Sequence, residues 1–184
     1  MVTRTAKKIL TNSAIIAARR NRALDAQGYR SLLLRVLFLA LAAWVLLTQV
    51  FLITQVRGNA MFPALKDGDL VIAFRIQQDY AKNDVIVYTA QGQLRFGRIA
   101  ARETDVVMLD DTGSLLVNGT NQSGEILYPT YAREGLTYPY LVPEDHLFLL
   151  GDYRTQTEDS RDFGPIPLKQ VQGKVITILR RRGL

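Results

Sequence analysis

Apolar and polar positions divide the 184-residue chain into stretches of different rhythm. From Val36 to Val56 runs VLFLALAAWVLLTQVFLITQV, 21 residues without a charge. At about 1.5 Å per residue this run is about 31 Å long as a helix, which matches a hydrocarbon core of about 30 Å. It predicts a membrane-spanning anchor over 36–56. Beyond Arg57 the rhythm shortens to β-rich runs. DLVIAFRI (69–76), DVIVYTA (84–90), QLRFGRIAA (93–101), DVVMLDD (105–111) and SLLVNG (114–119) are separated by turn signals such as Lys66-Asp67-Gly68-Asp69 and Thr112-Gly113. HLFLLGD (146–152) and GKVITILRR (173–181) predict two late strands, and only short segments near Leu168–Val171 read as helical. Residues 120–143, TNQSGEILYPTYAREGLTYPYLVP, are rich in Tyr, Pro and Gly and read as an extension from the core. The expected fold of 57–184 is therefore all-β, with early strands pairing with late ones.

Charge sharpens this division. Residues 1–35 hold eight Lys/Arg against the single acid Asp25, whereas the remaining 149 residues hold fifteen against sixteen Asp/Glu. The net charge of +6 thus belongs to the N-terminus. A nucleic-acid partner is not expected, because the globular part has no basic excess to offer phosphates. The basic side precedes the apolar run, so the positive-inside rule places 1–35 in the cytoplasm and 57–184 outside the cell membrane. A cleavable signal peptide competes with an uncleaved anchor, but the run is too long and no A-x-A site follows it. Thr48, Gln49, Thr54 and Gln55 in its outer half are either tolerated near the interface or face a partner helix. The segment AKKILTNSAIIAARRNRAL is either a topology signal or a surface helix on anionic lipid. There are no cysteines, which excludes a disulfide framework and thiol catalysis.

The candidate chemistry begins directly after the apolar run. GNAMFPALKDGD (Gly58–Asp69) is followed by NDVIVY, then GRIAARETDVV and LLVNG, and last GDYRTQTEDSRDFGPIP with GKV behind it. The ordered set, from Gly58 to about Val175, resembles the type I signal peptidases of bacteria. That resemblance implies a signal-peptidase-like coiled β-sheet and a Ser–Lys protease, in which a serine hydroxyl attacks the scissile carbonyl and a neutral lysine takes its proton. It also implies a cleft that adds an extended peptide as a strand. The residues expected to form it are Asn59, Ala60, Met61, Phe62 and Pro63 with Asp84, Val85, Ile86 and Val87. Met61, Phe62 and Pro63 read either as an exposed apolar patch beside the membrane or as part of the core.

The same resemblance exposes two departures. The family places serine immediately before the methionine of its first motif, and here Ala60 precedes Met61. It places lysine immediately before the Arg-Ile of its third motif, and here Gly97 precedes Arg98 and Ile99. Ala64 replaces the usual Thr, and Arg102, Glu103 and Thr104 replace a Leu-Pro-Gly turn. The supporting residues Thr157, Asp159, Ser160 and Arg161 are in place, and Asp152, Arg154, Asp159 and Arg161 could form a salt network holding their loop. No catalytic pair is therefore intact, and Asn59, Lys66 and Lys82 lack the spacing to substitute. His146 has no second ligand near it, so neither a metal nor a cofactor is expected. The resemblance implies a pseudoenzyme that holds an exported protein. Family members without the catalytic pair occur in Gram-positive pilus gene clusters, which makes a pilin or a sortase the expected partner. The alternatives are an active signal peptidase with displaced catalytic residues and a structural module whose cleft binds nothing.

Overall fold

A computed structural model describes residues 28–122 and 128–180. Residues 1–27 of the basic segment 1–35 and residues 123–127 of the 120–143 extension lie outside the described residues. The chain divides at Leu46 into two compact units. The first ends within helix α1, Gly28–Val50, which is long and apolar enough to cross a membrane. Its last turn, Leu46–Val50, widens to π-helix.

The uncharged run does not continue as helix to Val56. Phe51–Gln55 leaves as strand β1, which pairs antiparallel with β2 (Leu70–Phe74) from Phe51↔Phe74 to Gln55↔Leu70. Length and hydropathy cannot separate the two elements, because both are apolar. The β-branched Ile53 and Thr54 and a waiting edge on β2 favour the strand. The junction is tied down by Arg75, whose backbone N–H donates to Val50 O (2.9 Å) and whose Nη1 donates to Thr48 O (3.3 Å).

The second unit is built on β3 (Val85–Ala90), β4 (Gln93–Ala101), β5 (Val106–Leu109), β6 (Leu115–Val117), β7 (Thr120–Asn121), β8 (Tyr140–Leu141), β9 (His146–Leu150), β10 (Ile166–Pro167) and β11 (Val171–Leu179). One sheet has the order β1-β2-β11-β3-β4-β9-β10, and a smaller one the order β7-β6-β5-β8. The expected non-local pairing is present, since β11 lies between β2 and β3. Short helices occur at Leu168–Gln170, within the expected segment, and at α2 (Ser160–Phe163), which the sequence did not signal.

Alternation along β3 divides the core. Ile86, Tyr88 and Ala90 pack with Tyr80, Ile99, Leu147, Leu149 and Ile166 on one side. Val87 and Phe96 pack with Val56, Met61, Leu65, Val71 and Ala73 on the other. A third cluster joins Phe148 and Leu150 of β9 to the small sheet through Val107, Leu115 and Val117. On the outer face of β1, β2 and β11 the apolar Ile53, Leu70, Ile176 and Leu179 remain exposed.

One turn is strained. Thr104 has φ +65°, a left-handed conformation that a β-branched side chain adopts at a cost, and its N–H donates to Val142 O. Thr104→Gly is expected to stabilise the protein by about 1 kcal/mol, the left-handed cost less the extra entropy of glycine. A thermal melt of the full chain in detergent checks this, and an unchanged or lower midpoint would contradict it.

Candidate functional site

Among the backbone edges that strand order leaves without a partner, two face one groove. β1 ends the large sheet and pairs only with β2. β9 joins β4 from Arg98 onward, so Gln93–Gly97 are paired only by β3. Both edges line a groove of about 1040 Å³, with walls from Thr54–Met61, Tyr88, Gly92–Phe96, Tyr153 and Gln156–Glu158. Unpaired N–H and C=O groups along a groove are the geometry that adds a polypeptide as a strand.

The expected site residues divide between groove and core. Asn59 and Ala60 line the groove, and Met61 reaches it while its side chain is only 1% exposed. The exposed apolar patch expected at Met61–Pro63 is therefore corrected. The turn from Asn59, with Phe62 N–H donating to Asn59 O and Leu65 N–H to Met61 O, aims Met61 into the core. Phe62 is half-buried, and Pro63 is exposed. Asp84, Val85, Ile86 and Val87 do not reach the groove. Ile86 and Val87 are buried in opposite clusters and are paired on both edges, by β4 and β11, so they have no edge to offer. Asp84 is held by Lys174 (2.8 Å) and by the N–H of Ala81 (2.9 Å).

The wall that the sequence placed on β3 is built instead by Gln93–Phe96 of β4, immediately before Gly97. The signal for it was the Gly97 position itself, since residues preceding it in one strand must border it. Ile86 opposes Gly97 and Tyr88 opposes Arg95, which sets Tyr88 diagonal to Gly97 on one sheet face. A Cβ on Gly97 would lie 3.0 Å from Tyr88 Cε1 and 3.2 Å from Leu149 Cβ. The tyrosine ring occupies the space next to the missing side chain. Burial, reinforced by nearby Asp159, pushes the Tyr88 hydroxyl well above its ordinary range, so it stays protonated.

The 151–163 segment braces the groove from below. Thr157 Oγ1 lies 2.7 Å from Tyr153 O and 3.1 Å from Ala60 O, and Tyr153 N–H donates to Ala60 O at 3.0 Å. The Ala60 turn is thus fastened to the loop. Gly151 is required there, because a Cβ would fall 2.3 Å from Thr157 Cγ2. Asp159 caps α2 and accepts bonds from Gly151 N–H and from the Arg161 backbone and guanidinium. Ser160 Oγ accepts from Leu149 N–H (2.9 Å).

The expected salt network forms in part. Asp159 pairs with Arg161, whereas Asp152 pairs with Arg98 of β4 (2.6 Å) and Arg154 Nη1 donates to Thr130 Oγ1 (2.9 Å). Burial presses the Arg154 guanidinium down to about 10. Thr130, Tyr131 and Arg133 of the extension all bond to this loop, so these residues brace it rather than projecting away.

Two carboxylates outside the groove set an acid limit. Burial alone would raise Asp105, but the Arg102 N–H, Lys82 and Asn118 outweigh it and hold its pKa below the ordinary value. Burial is likewise outweighed at Asp162 by Arg133 and the Asp159 N–H. A folded-state pKa below the unfolded one stabilises above the ordinary carboxylate value of about 3.9 and is lost as pH falls through the folded value. The urea midpoint is therefore expected to fall between pH 6 and pH 3, and less steeply in Asp105→Asn. An equal fall in that variant would remove Asp105 from the account.

The family described as signal peptidase, peptidase S26, matches residues 29–179. A probable thylakoidal processing peptidase 2 of Arabidopsis thaliana is 33% identical over 137 residues, covering 66% of this chain and 36% of its own. A signal peptidase I of Bacillus caldolyticus is 29% identical over 136 residues, covering 65% of this chain and 74% of its own. A crystal structure of a signal peptidase I from Enterococcus faecalis aligns at TM-score 0.46 and 26% identity, over 54% of this chain and 97% of that one. The chain spans little more than a third of the length of the first of these relatives. Because the family match runs from the membrane-length helix to the end of β11 and takes in every wall of the groove, the chain belongs to the signal peptidase (peptidase S26) family.

Proposed function

We propose that the protein is a membrane-anchored, non-catalytic member of its family that holds an extended segment of another exported protein in the groove. The observation that carries this is Ala60 in the groove wall and Gly97 directly after the wall's β4 segment, with the Tyr88 ring 3.0 Å from where a side chain on Gly97 would begin. A methyl group cannot attack a carbonyl, and glycine cannot accept a proton. Loss of the nucleophile alone costs about 10⁶ in turnover, or about 8 kcal/mol of barrier. No lysine lines the groove to take over as base. Lys82 is engaged by Asp105 (3.1 Å) and Lys174 by Asp84. What remains is a receptor for backbone, with two free edges along one groove.

The arrangement fits an assembly chaperone or scaffold at the cell membrane, its N-terminus cytoplasmic and its β domain outside. The proposed partner is a pilin or a sortase, by analogy with the pilus-cluster relatives that lack the pair. The rival reading, an active signal peptidase, draws on the names of the relatives. Incubating the detergent-solubilised chain with a preprotein separates the two. No product is expected, and cleavage at a family-like rate would overturn the proposal. A photocrosslinker at position 60 is expected to capture an exported partner in cells. Recovery of only uncrosslinked protein would favour a structural module that leaves the groove empty.

A further inference from the structure

Three aromatic rings from three separate loops meet at the Ala60 end of the groove. Phe62 lies 6.3 Å from Tyr153 between centroids, at 52°, and Tyr128 lies 4.5 Å from Tyr153, at 31°. All three are half-buried, and Tyr153 is part of the groove wall. Tyr153 is fixed through its backbone, since its N–H donates to Ala60 O and its carbonyl accepts from Thr157. The rings thus form a short ladder, with a pre-ordered member facing the groove. The bonds that hold it in place are independent of its side chain. Nothing in the support of the Ala60 turn needs an aromatic residue at 153, because that support comes from backbone atoms and from Thr157.

We infer that this ladder is a side-chain subsite for an aromatic residue of the peptide that lies along the two free strand edges. The inference rests on the proposal that the groove takes an extended peptide. Rings prefer offset or edge-to-face neighbours at 4.5–7 Å, and the ladder holds Tyr153 tilted against both of its partners. The charged residues lining the groove are Arg57, Arg95 and Glu158, and Arg95 is paired with Glu158 at 3.0 Å. The remaining charge, Arg57, disfavours a cationic side chain in the same groove. The subsite therefore selects an aromatic ring on the peptide residue that passes Ala60.

A fluorescent ten-residue host peptide of Ser, Thr, Asn and Val, with one Phe moved through successive positions, tests this by anisotropy on the full chain in detergent. One register is expected to bind about tenfold more tightly than the unsubstituted host. In that register cyclohexylalanine should bind more weakly than Phe. Tyr153→Leu, which keeps an apolar side chain and the backbone contacts, should abolish the preference for one register. Retained preference in Tyr153→Leu, equal binding of Phe and cyclohexylalanine, or binding of every peptide alike would overturn the subsite and leave the groove standing. Failure of every peptide to bind would overturn the groove and the subsite together.

Discussion

Ala60→Ser combined with Gly97→Lys is expected to leave a preprotein uncut and to melt below the parent. Placing there the two reacting groups that the resemblance implies does not create the space that the lysine needs. Any side chain at 97 begins 3.0 Å from the Tyr88 ring and 3.2 Å from Leu149, both in the interior. Tyr88 is itself buried, 1% exposed. Overpacking of this kind costs about 1–3 kcal/mol. The lysine must also arrive neutral and correctly aimed, yet the Thr157 hydroxyl that would orient it is turned to the carbonyls of Ala60 and Tyr153.

The steric part has a clean readout. Tyr88→Ala alone opens a cavity and destabilises, and with Gly97→Lys the lysine stem refills that cavity. The two costs are therefore expected not to add, with a coupling of about 1–3 kcal/mol in denaturant titrations. Strict additivity would refute the steric account, and brisk cleavage by the Ala60→Ser, Gly97→Lys variant would refute the prediction as a whole.

The second large effect belongs to the loop under the groove. Asp159→Ala is expected to cost about 3–5 kcal/mol, the range for removing one partner of a buried ion pair. Against a total stability of about 5–15 kcal/mol, this brings the domain close to unfolding at ambient temperature. Asp159 and Arg161 are each 1% exposed, and Arg154, also 1% exposed, packs in the same loop. Without the carboxylate, two buried guanidiniums share one region, and the Gly151 N–H and the α2 N-terminus lose their acceptor. Asp159→Asn should be milder, because the amide oxygen still accepts one or two of these bonds. Thermal melts of the full chain give the comparison, and a loss under 1 kcal/mol for Asp159→Ala would mean that water replaces the carboxylate.

Period-two alternation made β2 to β6, β9 and β11 legible in the sequence, and they are the strands that bury a face. β7, β8 and β10 have two residues each, too few for any period to show. β1 was hidden by the opposite problem. Its five residues are as apolar as the helix before them, and only pairing with β2 separates the two elements. The site was half legible for a similar reason. Ala60 and Gly97 could be found by their place in a motif. Which strand presents a free edge depends on neighbours more than 50 residues away, such as β9 stopping at Arg98. Tyr88 looked like any strand aromatic until the β3–β4 register set it diagonal to Gly97.

The absence of any spacer between α1 and β1 has a consequence for how a partner is met. At about 3.3 Å per residue, Phe51–Gln55 can carry the receiving edge no more than about 17 Å from the end of the helix. If the chain is anchored and holds a peptide as proposed, a polypeptide still tethered to the same bilayer reaches that edge by lateral diffusion, at an effective concentration set by the membrane and not by the surrounding medium. Once the tether is cut, the encounter reverts to three dimensions. A weak grip then suffices for a substrate in transit and fails for one already released.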